Sequence, residues 1–265
     1  MSMTNLVACD LDGTLLDKQN RIMAGTKDVI QAFHHAGGSF MIATGRLDHD
    51  IVYVENQLGI AGEFRISQNG AVIKDKENRI LLKKEIHSDV AQKLMRDLKE
   101  WDVRIEVSDI NHRYFPSPRK EGEVAEFIDS SIIEPDLEQK VGVQIQPIIF
   151  LIFGDVGIFA EIKQRLSKKY DGYVDFIATS PHTLEILPHG VSKGTALEKT
   201  MEKLKANSKQ VVAIGDSEND LSLFDVAGYS FAMEHAPEAV KQKATVVKTS
   251  VKACMEEILE QLKSK

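Results

Sequence analysis

The chain has 265 residues, which at about 150 residues per domain make one large domain or two ordinary ones and exclude a lone small motif domain. Hydrophobic residues are 43% of it and charged residues 28%, a balance that supplies a packed core and excludes a disordered chain. The formal net charge of −7 argues against a general electrostatic grip on nucleic acid or anionic membrane, so any phosphate chemistry has to be local. Cys9 and Cys254 are too few for a disulfide framework and lack the neighbours of a zinc site, which fits a reducing, cytoplasmic setting. The opening MSMTNLVACDLDG reaches acidic residues before any apolar stretch of signal-peptide length. No later run approaches the roughly 18 apolar residues of a membrane span, so neither secretion nor membrane insertion is expected.

In chain order, Leu6 to Cys9 is a short apolar run that ends in Asp10. Thr26 to Ala36 carries Val29, Ile30 and Phe33 at helical spacing, and Gly37-Gly38 supplies a stop. Ser39 to Ala43 is a second short run, followed by Thr44-Gly45. Runs that are short, β-rich and non-alternating predict strands covered on both faces, so the first segment reads as a βαβ unit of a parallel sheet. ISQNGAVI, residues 66 to 73, places Asn-Gly between two apolar stretches and predicts a hairpin, with a further short strand at Arg79 to Leu82.

From Ser88 the pattern changes. A helix, strands at VRIEV and NHRYF, a second helix, a strand at Ile148 to Phe153 and a helix over Val156 to Tyr170 follow; then come strands at Tyr173 to Ala178 and Thr183 to Leu187. This reads as an α+β module with a mostly antiparallel sheet, in which Trp101 packs. From Val191 the α/β alternation returns: helix from Ser192, strand at Val211, helix from Ser217, strand near Tyr229 to Ala232, helix around Glu238, strand at Thr245 to Val247 and a final amphipathic helix. Acidic or Gly-containing turns end strands on both sides of the middle block, so the first and last portions are expected to build one domain.

Asp10-Leu11-Asp12-Gly13-Thr14 follows the first strand directly, at the carboxyl end where open α/β sheets place their ligands. Two carboxylates so close repel unless a cation lies between them, and Mg²⁺ suits a site of carboxylates, waters and phosphate oxygens. Asp and Gly also populate ordinary turns, so this motif alone is modest evidence. The second acidic turn, Gly215 to Asp220, opens a helix and reads equally as capping, with Ser217 or Asp216 as the cap. The two together are much stronger, because sequence-distant acidic strand ends that converge make a carboxylate nest that calls for a cation. Thr44 and Gly45 offer a hydroxyl and an unencumbered amide for an anion, and Lys193 a point charge near a helix start.

With DLDGTLL at 10 to 16, ATGR at 43 to 46, SQNGA at 67 to 71, GVSKGTAL at 190 to 197 and GDSENDLSLF at 215 to 224, the chain resembles the haloacid dehalogenase (HAD) superfamily, specifically its Cof-type phosphatases with a large C2-type cap. The resemblance runs over nearly the whole length, in family order. It implies a Rossmann-like doubly wound α/β core over residues 1–84 and 187–265, interrupted by an α+β cap over 85–186. It further implies Asp10 as nucleophile and Asp12 as the acid and base, with Mg²⁺ on Asp10, the backbone carbonyl of Asp12, and Asp216, and Asp220 close by through water or holding Lys193. Thr44, the amides of Leu11 and Gly45, Lys193 and Asn219 would bind the transferring phosphoryl group, as phosphoryl transfer requires.

The cap would read the leaving group through His112, Arg113 and Tyr114, with His112 and Tyr114 on one face of their strand and Arg113 on the other, and Arg46 and Asn69 are further candidates in the core. The expected activity is Mg²⁺-dependent hydrolysis of a small phosphorylated metabolite, a sugar phosphate or a phosphorylated cofactor, by a monomer or weak homo-oligomer. A phosphomutase of the same fold and a non-catalytic binder of phosphorylated metabolites are the alternatives. A signalling receiver domain is shorter and lacks the insert.

Overall fold

The computed structural model describes residues 5–119 and 127–263. In chain order the elements are β1 (Leu6–Cys9), α1 (Thr26–His35), β2 (Ser39–Ile42), α2 (Asp48–Leu58), β3 (Phe64–Ser67), β4 (Val72–Asp75) and β5 (Ile80–Lys83). Next come α3 (Ser88–Leu98), β6 (Arg104–Ser108), β7 (Arg113–Phe115), β8 (Ser131–Ile133), α4 (Leu137–Lys140), β9 (Ile149–Phe153), α5 (Val156–Leu166), β10 (Val174–Ser180) and β11 (Thr183–Pro188). The last are α6 (Lys193–Leu204), β12 (Val211–Gly215), α7 (Leu221–Val226), β13 (Tyr229–Met233), α8 (Glu238–Lys241), β14 (Val246–Lys248) and α9 (Val251–Lys263). Two compact units result, Met1–Leu81 with Ser192–Lys265, and Leu82–Val191.

The first unit is built on a parallel sheet in the order β14-β13-β12-β1-β2. Every residue of β1 and β12 is buried, which is why their sequences, LVAC and VVAIG, do not alternate. The chain runs outward from β1 to β2 in one direction, while β12 lies on the other side of β1 and is followed outward by β13 and β14. The strand order therefore reverses at β1 and β12, and the crevice beyond their carboxyl ends is the place where such sheets hold ligands.

A second, three-stranded sheet, β3-β4-β5, contains the hairpin expected at ISQNGAVI. Its turn is not a two-residue Asn-Gly turn. Ser67 pairs with Val72, so Gln68 to Ala71 make the connection, with Gln68 and Asn69 both in the left-handed region. The reason is tertiary: the Gln68 amide donates to the Arg46 carbonyl and the Asn69 amide to the Thr44 carbonyl, each at 2.9 Å, and these bonds set the turn instead of local preference.

Of the three carboxylates that α2 buries, Asp48, Asp50 and Glu55, the first and last lie near Arg65 of this hairpin. Burial pushes Glu55 up to about 7, opposed by the Gly62 amide that donates to it and by Arg65. A carboxyl raised in the folded state binds a proton that the unfolded chain has already lost, so stability falls as pH climbs from the ordinary carboxylate range to about 7. Over that window the loss attributable to Glu55 is about 3 kcal/mol. Glu55→Gln keeps the acceptor for Gly62 and is expected to flatten that slope, read as urea-denaturation stability at a series of pH values. An unchanged slope contradicts the assignment.

The second unit has a six-stranded sheet, β10-β11-β9-β6-β7-β8, antiparallel except where β7 meets β8. α3 buries Ala91, Leu94, Met95 and Leu98, and α5 buries Phe159, Ile162 and Leu166, all at helical spacing. They cover the face formed by Ile105, Val107, Phe150, Ile152, Leu184 and Ile186, with Trp101 at the margin. Of the helix expected between NHRYF and IIFLIF, the described residues hold only the four of α4, and β8 was not anticipated. All three β8 residues are exposed, so no alternation in SII announces an edge strand held by backbone pairing alone.

Candidate active site

Asp10 sits where β1 ends and is 4% exposed. The fully buried ammonium of Lys193, in the first turn of α6, donates to Asp10 Oδ1 at 2.5 Å and to Asp220 Oδ1 at 2.7 Å. α6 starts there because Ser192 and Thr195 form a reciprocal capping box. Asp220 in turn closes the turn after β12: its Oδ2 accepts from the amides of Asp216 at 2.9 Å and Ser217 at 3.0 Å. Ser217, one of the two caps expected, is the N-cap of this turn, and Asp220 answers it in a reciprocal capping box. Asp216 is oriented by the Thr14 hydroxyl, which donates to its Oδ1 at 2.7 Å, and His235 Nε2 lies 3.5 Å from its other oxygen.

The electrostatics follow from burial. Desolvation pushes the Asp10 carboxyl well above its ordinary value, the neighbouring Asp220 adds to this, and Lys193 opposes it. Asp216 is raised as well, by burial first, against the Thr14 hydrogen bond. For Lys193 burial works against the charge, and the contacts to Asp10 and Asp220 outweigh it, leaving its pKa above the ordinary lysine value. One lysine among three close carboxylates leaves negative charge uncompensated.

Asp10, Asp216 and Asp220 each present an oxygen within 4.8 Å of the others. Hard anionic oxygens so disposed suit a divalent cation. Their free capacity is unequal: both Asp220 oxygens are engaged by Lys193 and the turn amides, whereas Asp216 keeps one oxygen outside those hydrogen bonds and Asp10 Oδ1, bonded to Lys193 alone, keeps a lone pair for a cation while Oδ2 is left to react. The donor set therefore fits such an ion held by Asp10 and Asp216, with Asp220 holding Lys193. Gly13 lies against this set at φ +79, and a Cβ there would stand 2.6 Å from Asp216 Oδ2. Gly13→Ala meets both the left-handed penalty of about 1–2 kcal/mol and a clash with a metal-ligand candidate. We expect it to lower kcat/KM by at least about tenfold, with a higher divalent-ion requirement, read by metal titration of activity.

Asp12 stands apart from the trio, its side chain 49% exposed. Arg46 grips it, with Nε at 2.9 Å from Oδ2 and Nη2 at 2.6 Å from Oδ1, and reaches Asp50 at 3.3 Å and Asn20 at 3.0 Å. Arg46, expected as a substrate reader, is thus an anchor for Asp12. Thr44 is buried at the end of β2, and its hydroxyl accepts from the Arg46 amide at 3.2 Å. Gly45 packs on Asn69, 3.2 Å from the amide nitrogen to where a Cβ would be. Asn219 donates to Asn69 Oδ1 at 3.0 Å, so Asn69, Gly45 and Asn219 form one rim. Leu11 has its side chain buried and its carbonyl taken by the Leu16 amide.

In the second unit, Tyr114 donates to Asp109 at 2.8 Å and packs on the helix-covered core, and burial with Asp109 pushes its hydroxyl up to about 12. His112 lies edge-on to it at 6.1 Å. The expected alternation holds, but it turns Tyr114 inward: Val107 pairs with Tyr114 and faces the core, while Ser108 pairs with Arg113 on the other face. That face also carries Glu106, bonded by Arg104 at 2.7 Å and by Arg119, and Glu185. The sequence reading missed Thr14, Asn20, Asp50 and His235. Thr14 lies within DLDGT, and His235 follows β13 at its carboxyl end, the same kind of position as Asp10 and Asp216, which is the signal that could have found it.

Residues 7–253 match the haloacid dehalogenase-like hydrolase family. The chain belongs to this family, and it is a hydrolase of the phosphatase type. A 5-amino-6-(5-phospho-D-ribitylamino)uracil phosphatase of Bacillus subtilis (strain 168) is 29% identical over 272 residues, covering 92% of each chain. A putative phosphatase of Mycoplasma pneumoniae is 27% identical over 90% of this chain and 88% of that one. Among solved structures, a Thermotoga maritima protein superposes with a TM-score of 0.81 at 26% identity, covering 96% of this chain and 97% of that one. A B. subtilis haloacid dehalogenase-like hydrolase reaches 0.84 at 22% identity, over 95% and 99%, a likeness of fold. Among the described residues no helix is long and apolar enough to cross a membrane.

Proposed function

We propose that this enzyme is a cytoplasmic, Mg²⁺-dependent phosphatase that hydrolyses a small phosphorylated metabolite, a sugar phosphate or a phosphorylated cofactor, through an aspartyl-phosphate on Asp10. The observation that carries the reading is the buried Asp10, with one oxygen anchored by Lys193 and the other outside that hydrogen bond, beside Asp216 and Asp220. A carboxylate held by one oxygen is oriented to attack with the other.

In the first step Asp10 Oδ2 forms a bond to phosphorus while the ester P–O bond breaks, and Asp12 gives its proton to the leaving oxygen. In the second, water attacks phosphorus, Asp12 takes its proton, and the Asp10–phosphorus bond breaks. Splitting one displacement into two uses Asp12 as acid and then as base, with the Arg46 guanidinium holding its carboxyl group in place. The Thr44 hydroxyl, the amides of Leu11 and Gly45, Lys193 and Asn219 bind and align the phosphoryl oxygens. A divalent ion on Asp10 and Asp216 would supply charge neutralisation for nucleophile and phosphoryl group.

The ribitylaminouracil phosphatase relative supports a phosphorylated polyol or cofactor precursor as the substrate class. Residues 85–186 are proposed as the cap that selects the leaving group, with the polar sheet face of Ser108, Arg113 and Glu185 a better candidate than Tyr114. The test is phosphate release over a panel of phosphomonoesters with Mg²⁺ and with EDTA. Mg²⁺-dependent release that EDTA abolishes is expected. Release indifferent to EDTA, or binding without release across the panel, contradicts the proposal.

A further inference from the structure

A second buried charged cluster lies beside the phosphate loop and has no part in the chemistry above. Arg65 on β3 donates to both oxygens of Asp48, the first residue of α2, at 2.9 Å and 3.3 Å, and to Asn78 Oδ1 at 2.6 Å. Lys74 Nζ stands 3.2 Å from Asp48, and Glu55 lies 3.9 Å from Arg65. Asp48, Glu55 and Arg65 are all buried. A buried pair of this kind is a weak device for stability, because desolvation offsets much of the attraction, yet it is strict about geometry.

Its place in the chain shows what that geometry governs. Asp48 stands two residues after Arg46, and Arg65 stands one residue before Ile66. Between them the loop of Thr44, Gly45 and Arg46 hangs on the β3 segment by three backbone bonds, each of 2.9 Å: Thr44 amide to Ile66 carbonyl, Gln68 amide to Arg46 carbonyl, and Asn69 amide to Thr44 carbonyl. The exit of the loop is fastened to the same strand by Asp48 and Arg65. We propose that Asp48 and Arg65 are the positioning pair of the phosphate loop: they fix the start of α2 against β3, and so hold the Thr44 hydroxyl and Gly45 amide in place, without touching substrate. The inference rests on the assignment of Thr44 and Gly45 to phosphoryl binding.

The experiment uses the full chain as wild type, Asp48→Asn, Arg65→Met and Arg65→Lys. Each is assayed for the Ki of inorganic phosphate, KM and kcat with an aryl phosphate, and the midpoint of thermal unfolding. Loss of positioning removes binding shared by ground and transition states, so Asp48→Asn and Arg65→Met are expected to raise Ki and KM about tenfold with kcat within about threefold. Arg65→Lys, which keeps the charge, is expected to recover part of that loss. Variants that melt earlier with unchanged Ki and KM make the pair merely structural and overturn the proposal, as does a fall confined to kcat. Should Arg65→Met not fold, Asp48→Asn and Arg65→Lys carry the same comparison. A wild-type enzyme that binds no phosphate overturns the loop assignment itself, whereas normal wild-type binding with insensitive variants overturns only the positioning role.

Discussion

Asp10→Asn is expected to abolish phosphomonoester hydrolysis, lowering kcat by about 10⁴-fold or more, because the amide cannot form the acyl-phosphate that divides the displacement. The fold should survive. Asn keeps an oxygen to accept from Lys193 and removes one of the like charges that burial and Asp220 make costly for Asp10. Its unfolding midpoint without metal should therefore be no lower than that of the wild type. The two readouts together separate chemistry from structure: full loss of turnover in a protein of unchanged stability identifies Asp10 with the reacting atoms. Turnover within tenfold of the wild type would reject it as nucleophile.

Lys193→Met is the largest stability effect we expect. The ammonium is the cation bonded to both Asp10 and Asp220, all three side chains are buried, and Met leaves two close carboxylates without it. Breaking a buried charge arrangement by removing one partner costs about 3–5 kcal/mol, read by urea denaturation in the absence of divalent ions. Turnover should be lost as well, since Lys193 both orients Asp10 and faces the phosphoryl oxygens. A double-mutant cycle gives the cause: adding Asp10→Asn to Lys193→Met removes one of the stranded charges and should restore part of the stability. Strict additivity of the two substitutions would show that Lys193 and Asp10 are not energetically coupled.

Much of the catalytic unit was legible because its chemistry sits at strand ends. LVAC, SFMIA and VVAI announce buried parallel strands, and the residues that follow them, Asp10, Thr44 and Asp216, are brought to one edge by the sheet. By position alone Lys193 is a charge near a helix start, and the family resemblance adds a phosphoryl contact and a pairing with Asp220; that it is fully buried and also bonds Asp10 depends on how α6 meets β1 and β12, which no local pattern encodes. The same holds for Arg46, whose position beside the phosphate turn suggested a substrate contact, while the fold gives it Asp12, Asp50 and Asn20 as partners. Asp220 reads as a helix-end acid, and its second role as the acceptor for the Asp216 and Ser217 amides emerges only from the turn's geometry. In the second unit the period of NHRYF is legible and the covered face is not. Which side of a strand is covered is decided by the helices α3 and α5, and two neighbouring polar residues give no hint of it.

The account turns on a covalent intermediate, and the stereochemistry at phosphorus tests it most directly. Two successive in-line displacements, first by Asp10 and then by water, each invert the phosphorus centre. Hydrolysis of an isotopically chiral thiophosphate ester is therefore predicted to proceed with net retention of configuration, whereas net inversion would mean direct attack of water and would contradict the role of Asp10 as nucleophile.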